Sequence, residues 1–267
     1  MFSLLAFYAF AVGACVGSFL NVVIHRIPIG ESIVFPPSRC PGCRNRIAWF
    51  DNVPILSYLL LRGRCRRCGE PISLRYPLVE AANALFYLAI FLKVGPTLVA
   101  IPIAILTSMT IALIYIDADI QILPDVIDLP GIAVGFAIGA LRGADHVASM
   151  TLSASLLDSL LGAVVGAGIL LVIGIAYKLV RRIEGMGLGD VKMLAMIGAA
   201  SGWESIFPTL LLASIAGAIL GVFVAARSSE GFQVALPFGV FLGLAWLVVL
   251  FFGPTLFELW TWLLLRS

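Results

Sequence analysis

Residues 98–119 read LVAIPIAILTSMTIALIYIDAD. From Leu98 to Ile116 no side chain carries a charge. A helix crosses a bilayer with about 20 apolar residues, so this run is expected to span one. It then stops at Asp117-Ala118-Asp119. Its apolar residues are continuous and do not alternate, which argues for a helix and against a membrane β-barrel.

Comparable runs recur at 3–24, 77–93, 129–141, 156–179, 191–206, 209–226 and 236–252. With 98–116 they predict about eight spans. A further apolar stretch, 256–265, is too short to span and is expected at the interface. The first run is not a cleavable signal peptide, because no Lys or Arg precedes it and no small-residue cleavage site follows. Composition agrees with this reading. Of 267 residues, 61% are hydrophobic and 12% charged, and the mean hydropathy is +1.08. Soluble proteins carry about 25% charged residues. A soluble globular domain, a disordered chain, a collagen and a disulfide-rich secreted module are all excluded. The expected fold is an all-α, polytopic integral membrane bundle.

The net charge of +2 says little about partners, but the placement of the 17 basic residues says more. Nine arginines lie between His25 and Tyr76. Lys178, Arg181, Arg182 and Lys192 follow in a second loop, and Arg227 in a third. Only Lys93, Arg142 and Arg266 fall on the other side. By the positive-inside rule the large loop is cytoplasmic and the N-terminus outside. Both ends that carry Asp117 and Asp190 then face the cytoplasm.

Five cysteines are present. Cys15 stands alone in the first run and reads as a small packing residue. The others form Cys40-Pro-Gly-Cys43 and Cys65-Arg-Arg-Cys68. Two such turns can complete a tetrahedral site of four sulfurs, the pattern of structural zinc. Gly42 and Gly69 lie where these turns need a backbone free of Cβ clashes. Two disulfides are the alternative, disfavoured in a reducing cytoplasm. The surrounding arginines offset the charge of a thiolate cluster or meet anionic lipid heads. They are not a sign of nucleic acid.

Carboxylates beside apolar runs are functional candidates. Asp117, Asp119, Asp125 and Asp128 fall within twelve residues and have no basic residue among them. Asp119, Asp125 and Asp128 also suit solvated loop or helix-cap positions, Asp125 after Leu-Pro above all. A second locus is Glu184-Gly185-Met186-Gly187-Leu188-Gly189-Asp190-Val191-Lys192. Its alternating glycines let backbone approach a neighbour closely. Two carboxyls in a partly dry site do not ionise together easily, and such a pair can activate water. A non-enzymatic scaffold or transporter subunit with a zinc ribbon also fits the spans and cysteines. It leaves the gathered carboxylates unexplained.

These blocks together resemble the type IV prepilin peptidases, or leader peptidase/N-methyltransferases. The resemblance runs through Gly17-Ser-Phe-Leu-Asn-Val-Val-Ile-His-Arg-Ile-Pro28, both CxxC pairs, Asn52-Val-Pro-Ile-Leu-Ser-Tyr58 and Arg75-Tyr-Pro-Leu-Val-Glu80. It continues through Ile116-Asp-Ala-Asp119, Leu123-Pro-Asp125, Gly185 to Leu194 and Pro237-Phe-Gly239. It implies a GxGD-type intramembrane aspartyl protease of the bacterial cytoplasmic membrane, with Asp117 and Asp190 as its catalytic pair. Gly187, Gly189 and Lys192 would support the active-site loop. The implied substrates are type IV prepilins or pseudopilins. The pilus, type II secretion and competence systems all remain open. It also implies methylation of the new N-terminus by S-adenosylmethionine, associated with the zinc loop. Presenilin-like and preflagellin peptidases share GxGD but are not expected to carry the cysteines. Glu80, in an apolar run after the zinc loop, is a candidate for the methylation step; the alternative is a polar group bonded to a neighbouring helix. The expected divisions are a first span (1–24), a zinc-binding loop (25–76) and a peptidase core (77–267). Residues 142–158 are longer than usual for the family and map to the outer side.

Overall fold

Hydrocarbon offers no partner for an open backbone polar group, so long apolar runs fold as helices. The computed structural model describes residues 2–142, 150–182, 187–227 and 236–266. Among the described residues there are nine α-helices, two short 3-10 turns and no β-strand. Contacts divide the chain into two units, Met1–Pro96 and Thr97–Ser267.

In the first unit α1 (Phe2–Arg26) packs against α3 (Arg75–Val94). Asparagines tie the pair. Asn83 Nδ2 donates to the Gly13 carbonyl at 2.7 Å, and Asn21 Nδ2 donates to the Tyr76 carbonyl at 3.2 Å. Amide bonds of this kind join helices where no water competes. The connecting segment holds the cysteine turns, a 3-10 turn (Trp49–Asn52) and the short α2 (Leu56–Leu60).

The second unit comprises α4 (Ala100–Ile120), α5 (Asp125–Arg142), α6 (Leu156–Arg181), α7 (Leu188–Ser201), α8 (Ile206–Ala225) and α9 (Phe238–Arg266). Its centre is α7, where every residue from Met193 to Ser201 is buried. Gly162 of α6 and Gly198 of α7 face each other so closely that a Cβ on either would run into the other's carbonyl oxygen. From α9, Trp246 Nε1 donates to Ser201 Oγ at 2.9 Å. The described part of the 142–158 stretch folds back on this core: the Thr151 amide donates to Leu250 O and the Ser153 amide to Ala200 O.

Six helices among the described residues are long and apolar enough to cross a membrane. They are Phe2–Arg26, Arg75–Val94, Ala100–Ile120, Leu156–Arg181, Trp203–Ala225 and Phe238–Glu258. The expected count of eight is not confirmed by these six. The runs at 129–141 and 191–206 do form helices, but α5 carries Asp125, Asp128 and Arg142, and α7 has only 14 residues. At 1.5 Å per residue α7 is about 21 Å long, short of the roughly 30 Å of hydrocarbon. The runs at 236–252 and 256–265 are one helix, continuous through Pro254.

Candidate active site and metal centre

Asp117 sits in the last turn of α4 and is 4% exposed. Its helix ends at Gln121, in the left-handed conformation (φ 54°). The turn that follows leads into α5, where the Pro124 carbonyl accepts the amides of Ile127 and Asp128. A helix start leaves its first N–H groups without partners. The start of α9 directs its own to Asp117: the Val240 amide donates to Asp117 Oδ2 at 2.9 Å, and the Gly239 amide also bonds the carboxylate. A Cβ on Gly239 would stand 2.9 Å from Asp117 Oδ2, so only glycine permits this approach.

Asp190 lies in the first turn of α7, with Gly187 as the N-cap residue. A Cβ on Gly189 would stand 2.8 Å from the Leu123 Cβ, and one on Gly239 would stand 3.0 Å from Leu123 Cδ1. Leu123 is therefore a wedge on which the starts of α7 and α9 both lean. The result brings Asp190, half-buried, within electrostatic range of Asp117. Glu184, Gly185 and Met186 lie outside the described residues.

The other aspartates divide. Asp119 is exposed, as a solvated residue should be. Asp125 is the first residue of α5 and pairs with Lys192 Nζ at 2.6 Å. The basic partner missing from the local sequence is thus supplied from α7, 67 residues away. Asp128 corrects the expectation of a solvated or capping residue: it is 0% exposed. It sits three residues after Asp125, one helical turn inward, where α5 packs on α4 and α7.

In the first unit Glu80 is buried, and Glu80 Oε2 accepts the Ile55 amide at 2.7 Å; the Ser18 hydroxyl also donates to the carboxylate. The expected polar bond to a neighbouring helix is present, through Ser18 of α1. Ile55 holds φ 63°, a conformation β-branched residues rarely take. Cys15 is exposed on α1 rather than packed inside the chain.

The four remaining cysteines converge. Their sulfurs all lie within 4.8 Å of one another, with Cys40 and Cys68 at 3.7 Å. A tetrahedron of Zn–S bonds near 2.3 Å has sulfur–sulfur edges of about 3.8 Å, so the donor set fits a zinc ion. Each cysteine pair is closed by a backbone turn: the Arg44 amide donates to Cys40 O, and the Gly69 amide to Cys65 O. The amides of Cys68 and Arg67 turn toward the Cys65 thiol and hold it down at about 6. The Asn45 amide lowers Cys43 in the same way. The left-handed residues are Gly69 (φ 74°) and Arg44 (φ 56°), each just after the second cysteine. Gly42 is not left-handed, but a Cβ there would press on the Glu70 carboxylate at 3.1 Å, the crowding expected at this turn. Arg66 grips Asp51 through Nε at 2.9 Å and Nη2 at 2.6 Å, which holds the Asp51 carboxyl below the usual range.

Comparison with known proteins bears on both units. A model of the bacterial peptidase A24 N-terminal domain matches residues 11–94, and one of the type IV leader peptidase family matches 104–222. Curated relatives that carry the name prepilin leader peptidase/N-methyltransferase include the following. One from Myxococcus xanthus is 41% identical over 83% of this chain and 63% of its own length. One from Pseudomonas putida is 38% identical over 91% and 89%. One from Pseudomonas aeruginosa is 39% identical over 91% and 88%. No solved structure matches the chain.

Proposed function

The chain belongs to the type IV leader peptidase family, and on that premise we propose that it is a membrane-embedded aspartyl endopeptidase. It removes the leader from type IV prepilins or pseudopilins at the cytoplasmic face of the bacterial inner membrane. Its catalytic pair is Asp117 and Asp190. The observation that supports this most is the convergence of an α4 end, an α7 start and an α9 start around two carboxyls within electrostatic range.

The chemistry follows from that arrangement. The two carboxyls share one proton and hold a water between them. One takes a proton from the water as its oxygen attacks the scissile carbonyl carbon. The other protonates the carbonyl oxygen, and the departing amine receives its proton as the C–N bond breaks. The two α9 amides keep Asp117 in one orientation throughout. Gly187 caps α7, Gly189 lets the Asp190 segment lie close against Leu123, and Lys192, bound to Asp125, ties α7 to α5 beside the pair.

The same protein then methylates the exposed N-terminal amine. S-adenosylmethionine supplies a methyl group on a sulfonium, which only a neutral amine attacks. Glu80 is the candidate carboxylate for this half. Cys40, Cys43, Cys65 and Cys68 would hold a zinc ion in a structural role, since four thiolates leave no open position on the metal.

The test is cleavage of a purified prepilin by the full-length protein in detergent, with labelled S-adenosylmethionine present. Asp117→Asn and Asp190→Asn are each expected to abolish cleavage while the thermal unfolding midpoint is kept. Normal processing by either variant refutes the assignment. Methyl uptake unchanged in Glu80→Gln removes Glu80 from the second step.

A further inference from the structure

Asp128 differs from the other acidic residues near the aspartate pair. Neither of its carboxyl oxygens has a hydrogen-bond partner among the described residues, and the residue is wholly buried. Its surroundings are nonetheless charged. Asp125 acts on it from its own helix, Asp117 from α4, and Asp190 and Lys192 from α7. Lys192, the cation of that set, is already engaged by Asp125. The third helix against α5 is α6, which carries charge only at Asp158 in its first turn and at Lys178 and Arg181 in its last.

An ionised carboxylate is costly to bury without a donor, and the neutral acid far less so. Like charge from three nearby carboxylates adds to that cost. Such a residue is not needed for packing alone, because an apolar side chain would fill the same space without penalty. We propose that Asp128 is a positioning residue for peptide cleavage, a third carboxyl holding a reserve proton beside the Asp117–Asp190 pair. The inference rests on that pair being the catalytic one.

The proton count gives the consequence. The working pair needs one shared proton, and Asp128 holds a second. As pH rises, the three carboxyls lose one of these two protons to solvent. When Asp128 gives up its own, the charge left behind opposes loss of the shared one. Without Asp128, the next proton to leave is the shared one, and the pair can no longer activate water. Asp128 makes no bond to substrate and exchanges a proton only with solvent.

The experiment compares the pH dependence of kcat for prepilin cleavage by the full-length wild type and Asp128→Asn. Asparagine keeps the shape and removes the proton. The alkaline limb is expected to move to lower pH by about one unit, with KM unchanged. An alkaline limb that stays in place overturns the proposal. Asp128→Ser is measured alongside, with thermal unfolding midpoints for both, because a buried amide can disturb α5. A folded serine variant with an unmoved limb also overturns it, since packing is then the whole role. Asp190→Asn separates this inference from its premise: if that variant still cleaves, the pair assignment fails whatever Asp128 does.

Discussion

Gly239→Ala is a one-methyl change at the start of α9, and its effect can be worked out from the contacts. The new Cβ would stand 2.9 Å from Asp117 Oδ2, 3.0 Å from Leu123 Cδ1 and 3.1 Å from Asp117 Cγ, where ordinary contact begins at 3.4 Å. The carboxylate must therefore retreat by about half an ångström, which stretches the 2.9 Å bond from the Val240 amide to the limit of a hydrogen bond. Hydrogen bonds to charged groups contribute about 1.5–3 kcal/mol each. Losing one such bond's worth from the reacting geometry corresponds to a kcat lower by about 10- to 100-fold, at 1.36 kcal/mol per decade. KM should change little, because the near contacts of the new methyl group are to Asp117 and Leu123. The assay is the initial rate of leader removal by detergent-solubilised protein, resolved on gels. A thermal unfolding midpoint close to that of the wild type shows that α9 still packs. Cleavage within about two-fold of wild type would refute the claim that the α9 amides orient Asp117 for catalysis.

Two further outcomes follow from other parts of the molecule. Gly162→Val should push α6 away from α7, because a Cβ there overlaps the Gly198 carbonyl oxygen. Overpacking of this kind costs about 1–3 kcal/mol or more, so the melting midpoint should fall by several degrees; an unchanged midpoint would contradict the close approach of the two helices. Wild-type protein should carry about one zinc ion per chain by elemental analysis, and Cys40→Ser should lose most of it. Full metal content in that variant would sink the four-sulfur site.

Much of the fold was legible because its signals are local. Uninterrupted apolar runs mark helices, and paired cysteines mark turns that carry sulfur ligands. Asp117 and Asp190 stood out because each ends or begins such a run. What stayed hidden depends on where a helix sits among others. Composition does not distinguish a helix buried by protein from one buried by lipid, so α7 reads as a span although it is a short core helix. The pairing of Asp125 with Lys192 crosses 67 residues, and nothing in either neighbourhood announces it. Asp125 and Asp128 look alike in the sequence, yet one is exposed and the other wholly buried. The motif Pro237-Phe-Gly239 was visible as a block, but its use became clear only when the Gly239 amide and that of Val240 just after it were seen to meet Asp117, 123 residues before Val240. In the cysteine turns the left-handed position falls on Arg44, an arginine that no sequence rule would single out.

The reach from Asp117 to Val240 also sets an order of assembly. During synthesis the α4 carboxylate emerges well before the helix whose amides will hold it. Until α9 is threaded into place, Asp117 lacks those two donors and the wedge at Leu123 bears on α7 alone. On the proposed assignment, a chain without α9 has the Asp117 carboxylate but lacks the amides that orient it.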